Sequence, residues 1–324
     1  ELPRIRVELL ALGAAIRQVE VAARQSERLG RSDGGPKSGA LGPVHLALPE
    51  IDQYADRALN PHLGGTLGRY ANRIAGGSFA LDRTTYTLDV NNGPNTLHGG
   101  TRGWDRRPWT IADIRDDSSE ATVVFSLRSP DGDMGFPGNV EATSTYVVSD
   151  GRIEMRYAAT TDAPTVISMS NHGYWNLDGS DSIAGHELQV HASRRLVMDS
   201  TQIPCGVTEV ANTAYDLRSP VSLADVLATT GGLDDCYLPD GEGLREIAVL
   251  TCPANGRRMR VSTDAPGVQV YTGNNLHPPF AVHESVSLEA QRIPDAPNQP
   301  GLGPCVLRPG EEYRSTTVLE FDLV

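Results

Sequence analysis

Short stretches in which apolar and polar residues alternate recur along this chain, and they constrain its fold more than any other feature. They occupy residues 86–90, 122–127, 143–148, 152–157, 258–261, 268–271 and 316–323. Period-two patterning rich in β-branched and aromatic residues is the mark of strands with one buried face. Ser149-Asp150-Gly151 joins two of these runs as a hairpin turn, because Asp-Gly tolerates positive φ. Helical signals are scarce. Residues 222–228 form the best short candidate, with Ser222 as N-cap. Residues 16–28 fit a strand followed by a charged helical turn, although periodicity does not decide between the two, and the Gly- and Ser-rich residues 30–42 read as an exposed loop. The expected fold is mainly β, a large antiparallel β-sandwich. With no internal repeat and no second composition regime, residues 1–324 read as a single domain.

A formal net charge of −13 argues against a nucleic-acid partner, which would need a basic face. Arg102, Arg106 and Arg107, and again Arg257, Arg258 and Arg260, form short, interrupted patches that read as solvated loop surface. No apolar run approaches the roughly 20 residues that span a bilayer, so no membrane partner is expected. Cys205, Cys236, Cys252 and Cys305 are widely spaced without a Cys-x-x-Cys pair, which fits reduced structural thiols and a cytoplasmic home. The chain begins at Glu1 without a methionine, so a periplasmic or secreted location stays open. There is no Gly-x-Ser-x-Gly, phosphate loop or dinucleotide fingerprint, and His186 and His191 have no acidic companion at ligand spacing.

The chemistry-bearing residues cluster in three short segments: Ser170-Asn171-His172-Gly173-Tyr174-Trp175-Asn176-Leu177, Thr96-Leu97-His98-Gly99-Gly100, and Leu288-Glu289-Ala290-Gln291. Two imidazoles and a carboxylate in such contexts supply the acid and base of a neutral proton-transfer enzyme. Taken singly, each has a plainer reading. His172 would be a hydrogen-bonded structural histidine, His98 a loop residue, Glu289 part of a solvated strand face, and Arg73 the partner of a surface carboxylate.

Gly68-Arg69-Tyr70-Ala71-Asn72-Arg73-Ile74 begins a series of motifs that resembles the aldose 1-epimerase (galactose mutarotase) family. The series continues through Leu97-His98-Gly99-Gly100, Gly103-Trp104-Asp105, Gly135-Phe136-Pro137-Gly138-Asn139, residues 170–177, Leu233-Asp234, Tyr271-Thr272-Gly273-Asn274 and Glu289-Ala290-Gln291, while residues 1–45 match only loosely. The resemblance implies a galactose-mutarotase-type β-sandwich with a sugar groove across one sheet. Carried over by motif, His172 is the general acid at the ring oxygen, Glu289 the general base at the anomeric hydroxyl, and His98 a hydrogen-bonding group near the ring oxygen. Arg73, Asn72 and Asp234 are implied to hold other hydroxyls. No metal or organic cofactor is implied.

The family usually follows this aspartate with a histidine, whereas here Asp235 stands in that place; neighbouring strand residues face opposite sides, so Asp234 is the expected ligand. Trp104, Trp109, Tyr174 and Trp175 offer stacking faces for a sugar ring; Trp109 reads as core, and Trp175, beside the proposed acid, is taken as a groove residue. The expected activity is interconversion of the α and β anomers of a free aldose such as galactose or glucose, by a monomer or homodimer. Alternatives are a glycosidase using Glu289 and Asp234, a sugar-binding protein without turnover, and recruitment of the same pair to isomerise or cyclise a non-sugar metabolite.

Overall fold

The computed structural model describes residues 5–22 and 41–324. Its largest element is a nine-stranded antiparallel sheet. Four long strands, Glu120–Ser129, Val140–Ser149, Arg152–Thr161 and Tyr313–Leu323, lie side by side in it. A five-stranded antiparallel sheet runs in the order Pro204–Glu209, Arg194–Met198, Asp234–Leu238, Gly267–Tyr271 and Ser287–Gln291.

The two sheets share one apolar core. Phe125, Tyr146, Met155, Val261 and Leu319 from the large sheet join Tyr237, Val268, Val270 and Leu288 from the smaller one in a single cluster. Alternate residues of each strand point to opposite faces. The alternation that buries Val268, Val270 and Leu288 therefore turns Gln269, Tyr271 and Glu289 to the other face of the smaller sheet, where the groove forms.

The hairpin at Ser149-Asp150-Gly151 forms with Ser149 opposite Arg152 and Gly151 at φ 67°. Every alternating stretch falls on a strand, with one displaced. Of the run at 86–90 only Tyr86 and Thr87 are strand, at the end of Thr84–Thr87, because the turn at Asp82-Arg83 starts the pairing at Leu81 with Thr84 and the register ends at Ser78 with Thr87. The helix spans Leu223–Thr230 with Ser222 at the N-cap position, although the serine side chain makes no capping bond. It ends at Gly231 in a left-handed conformation. Ala15–Ala22 is a strand, and Leu41–Pro43 is a strand pairing with its end rather than loop. The expected helical turn after Ala22 and the loop over 30–40 lie outside the described residues. Among the described residues no helix is long and apolar enough to cross a membrane.

Candidate active site

A groove on the polar face of the smaller sheet is lined by side chains from four parts of the chain. The sheet contributes Asp234, Gln269, Tyr271 and Glu289. Register brings these four together, because Asp234 stands opposite Tyr271 and Gln269 stands opposite Glu289. The remaining wall comes from Pro61 and His62, from Asn72, Arg73, Leu97 and His98, and from His172 and Tyr174.

Backbone stitching fixes the histidines. Ser170–Asn171 pairs with Thr66–Leu67, and the pairing continues as His172 N–H donates to Gly65 O (3.0 Å) and Gly64 N–H donates to His172 O (2.8 Å). Gly64 is at φ +58°, and a Cβ there would stand 1.9 Å from Ile16 O, so the close approach requires glycine. His98 is held by a reciprocal pair: its N–H donates to Asn72 O (3.1 Å), and Asn72 N–H donates to His98 Nδ1 (3.1 Å). Gly99 follows at φ +84°, where a Cβ would lie 2.0 Å from Gly68 O.

The Asn72 bond also sets the chemistry of His98. With Nδ1 occupied as an acceptor, the neutral ring carries its proton on Nε2 and presents a donor. Burial, followed by neighbouring His62 and His172, holds its pKa well below the usual histidine value, so it stays neutral at pH 7.

His172 Nε2 lies 3.7 Å from Glu289 Oε1, with both side chains almost wholly shielded from solvent. Burial, with His62 adding to it, lowers His172 to about 3. Burial raises Glu289 to about 8; Asp234 pushes in the same direction, against the opposing charge of Arg73. At neutral pH these opposite shifts favour one proton on the pair, carried by Glu289. Beside it, Gln269 Nε2 donates to Asp234 Oδ1 (2.7 Å), and Asn72 Nδ2 donates to Gln269 Oε1 (3.2 Å). Arg73 Nε donates to Asn92 Oδ1 (2.9 Å). The result is a continuous polar array of donors and acceptors suited to a polyhydroxylated ligand.

A model of the aldose 1-epimerase family matches residues 36–320. The chain belongs to that family. It is 39% identical to the aldose 1-epimerase of Escherichia coli, over 91% of this chain and 88% of that protein. It is 37% identical to the galactose mutarotase of Homo sapiens, over 98% of this chain and 92% of that protein. Among solved structures, an aldose epimerase homologue from C. elegans superimposes with a TM-score of 0.88 at 28% identity, covering 99% of this chain and 96% of that one. The galactose 1-epimerase of Lactobacillus acidophilus gives 0.84 at 26% identity, covering 100% and 92%.

Six of the seven residues expected at the site line this one groove: His172, Glu289, His98, Arg73, Asn72 and Asp234. The seventh does not. Trp175 is 2% exposed and packs edge-on to His45 and against Phe321 in the core, because its backbone pairs both ways with Val286 and turns its ring opposite to that of Tyr174. Tyr174 takes the groove position, stacking on His172 at 4.8 Å between centroids. Trp104 and Trp109 are core residues. Asp235 turns away from Asp234 and pairs with Arg195 (2.7 Å), which lies over the Tyr215 ring.

Sequence reasoning missed His62, Gln269, Tyr271 and Asn92. Among the described residues two clusters have metal-ligand composition, His98 with His172 and Glu289, and Asp178 with His186 and Cys252. In each, one imidazole is wrongly protonated for ligation. His98 carries its proton on Nε2, and His186 carries its own on Nδ1 because Nε2 accepts from Leu177 N–H (2.9 Å).

Proposed function

We propose that this aldose 1-epimerase family member interconverts the α and β anomers of a free hexose such as galactose or glucose, with His172 and Glu289 as the acid–base pair. Breaking the bond between C1 and the ring oxygen requires removing the proton of the C1 hydroxyl while protonating the ring oxygen. In the reacting complex Glu289 accepts the hydroxyl proton and His172 donates to the ring oxygen. Sugar hydroxyls that donate to the Glu289 carboxylate favour its ionised form and so move the shared proton to His172. The opened aldehyde then rotates about C1–C2, and reclosure on the other carbonyl face, with the roles reversed, gives the opposite anomer.

Asp234, Arg73 and Asn72 hold the remaining hydroxyls, and the neutral His98 donates its Nε2–H beside the ring oxygen. The observation that carries this reading is the approach of His172 to Glu289, two buried groups 3.7 Å apart, at the edge of an array of sugar-compatible side chains. General acid–base help of about 10² to 10⁴-fold per group, with positioning, suffices for a reaction that already proceeds in water. Polarimetry starting from pure α-galactose or α-glucose tests it; saturable acceleration of equilibration is expected, and equilibration at the buffer rate would refute it.

A further inference from the structure

A third imidazole faces this groove and neither gives nor takes a proton in the acid–base scheme. His62 Nδ1 lies 2.7 Å from Oδ2 of Asp105, whose side chain is 2% exposed. Burial pushes the Asp105 carboxyl up, but the hydrogen bond from His62 and the charge of Arg106, whose Nε is 2.9 Å away, bring it below the usual carboxylate value and keep it ionised. An ionised carboxylate only accepts, so Nδ1 carries the proton, and the neutral form of the ring then has its lone pair on Nε2. That nitrogen has no protein partner among the described residues and is not among the atoms shielded from solvent, in a side chain that is 25% exposed and lines the groove.

The neighbouring rings complete the pattern. His62 lies 4.9 Å from His98 and 5.7 Å from His172, centroid to centroid. His98 presents a donor at Nε2 and His62 an acceptor at Nε2. A hydroxyl, which donates and accepts at once, satisfies both; a carboxylate or an ammonium satisfies one. We propose that His62 is a substrate-contacting residue, with its tautomer set by Asp105, and that its Nε2 accepts a hydrogen bond from the hydroxyl on the C5 substituent of the sugar.

The inference rests on the mutarotase reading above. With Glu289 at the C1 hydroxyl and Asp234, Arg73 and Asn72 around the hydroxyls that follow, the ring oxygen's other neighbour, C5, turns its substituent to the end of the groove where His62 and His98 stand. His62 thereby separates hexoses from sugars lacking that hydroxyl. Asp105 is a positioning residue, acting through His62.

The test compares anomer exchange of galactose and 6-deoxygalactose by wild type, His62→Phe and His62→Asn. His62 sits at φ 71°, a left-handed conformation that asparagine tolerates, so the second variant guards against misfolding of the first. Wild type is expected to prefer galactose by about tenfold in kcat/KM, the scale of one hydrogen bond. Both variants should lose that preference, and the loss should appear in KM for galactose. The imidazole ¹⁵N shifts of His62 should report a proton on Nδ1 and a bare Nε2, and the reverse tautomer would refute the role given to Asp105. An active wild type without the preference, or variants that retain it, would overturn the proposal alone. A wild type that accelerates neither sugar would remove the mutarotase reading and this inference with it.

Discussion

His172 Nε2 stands 3.7 Å from Glu289 Oε1, and burial drives the two groups in opposite directions, the imidazole toward its neutral form and the carboxyl toward its protonated form. Whichever member carries the proton, the pair must keep one to work. The kcat/KM for mutarotation is therefore expected to hold through neutral pH and to fall on the alkaline side near pH 8, where the pair loses its proton. A pH profile checks this. An alkaline limb that stays flat to pH 10 would contradict it.

The same carboxyl makes stability depend on pH. Its folded-state pKa, about 8, lies above the unfolded 4.5, so its contribution is fully present below pH 4.5 and is lost as pH rises through 8. The full shift corresponds to about 4 to 5 kcal/mol. Glu289→Gln cannot ionise and should be more stable than wild type at pH 9, with the gap closing toward pH 5. Thermal melts across that range provide the measurement.

Asp234 and Asp235 adjoin on one strand yet face opposite sides. Asp234→Ala should raise KM for galactose by about tenfold or more, since it removes a polar group from the groove. Asp235→Ala should leave KM within about twofold of wild type and cost about 1 to 3 kcal/mol of stability through its partner Arg195. Steady-state kinetics together with denaturant unfolding separate the two effects.

Trp175 and Tyr174 divide in the same way. Trp175→Ala opens a hole in the shared core and should cost about 3 to 5 kcal/mol. Tyr174→Ala also removes a buried ring and should cost stability, but because that ring stacks on His172 the fraction that stays folded should lose kcat as well. Comparing unfolding midpoints with kcat for both variants tests this division.

Much of the fold was legible because antiparallel strands with one buried face write their alternation into the sequence, as at 143–148 and 152–157. The motifs at 234 and 289 converge because cross-strand register places Gln269 opposite Glu289 and Asp234 opposite Tyr271, and those at 72–73, 98 and 172 join them through separate backbone pairings. That register was not legible: alternation shows that Gln269 and Tyr271 share a face, but not that the face is the groove. The Trp175 expectation failed for a related reason, since adjacency to His172 in sequence does not fix which way a ring turns. His62 gave only a lone imidazole in a Pro- and Gly-flanked turn. Its meaning comes from Asp105, 43 residues away, and no local pattern joins the two.

The most direct test of the acid–base account is anomer exchange followed by NMR on α-galactose, with wild type beside His172→Ala and Glu289→Ala at matched concentrations. The account predicts that wild type equilibrates the anomers well above the buffer rate, and that each single variant loses at least about 10²-fold while remaining folded. A folded Glu289→Ala or His172→Ala protein that keeps the wild-type rate would contradict the assignment of the pair.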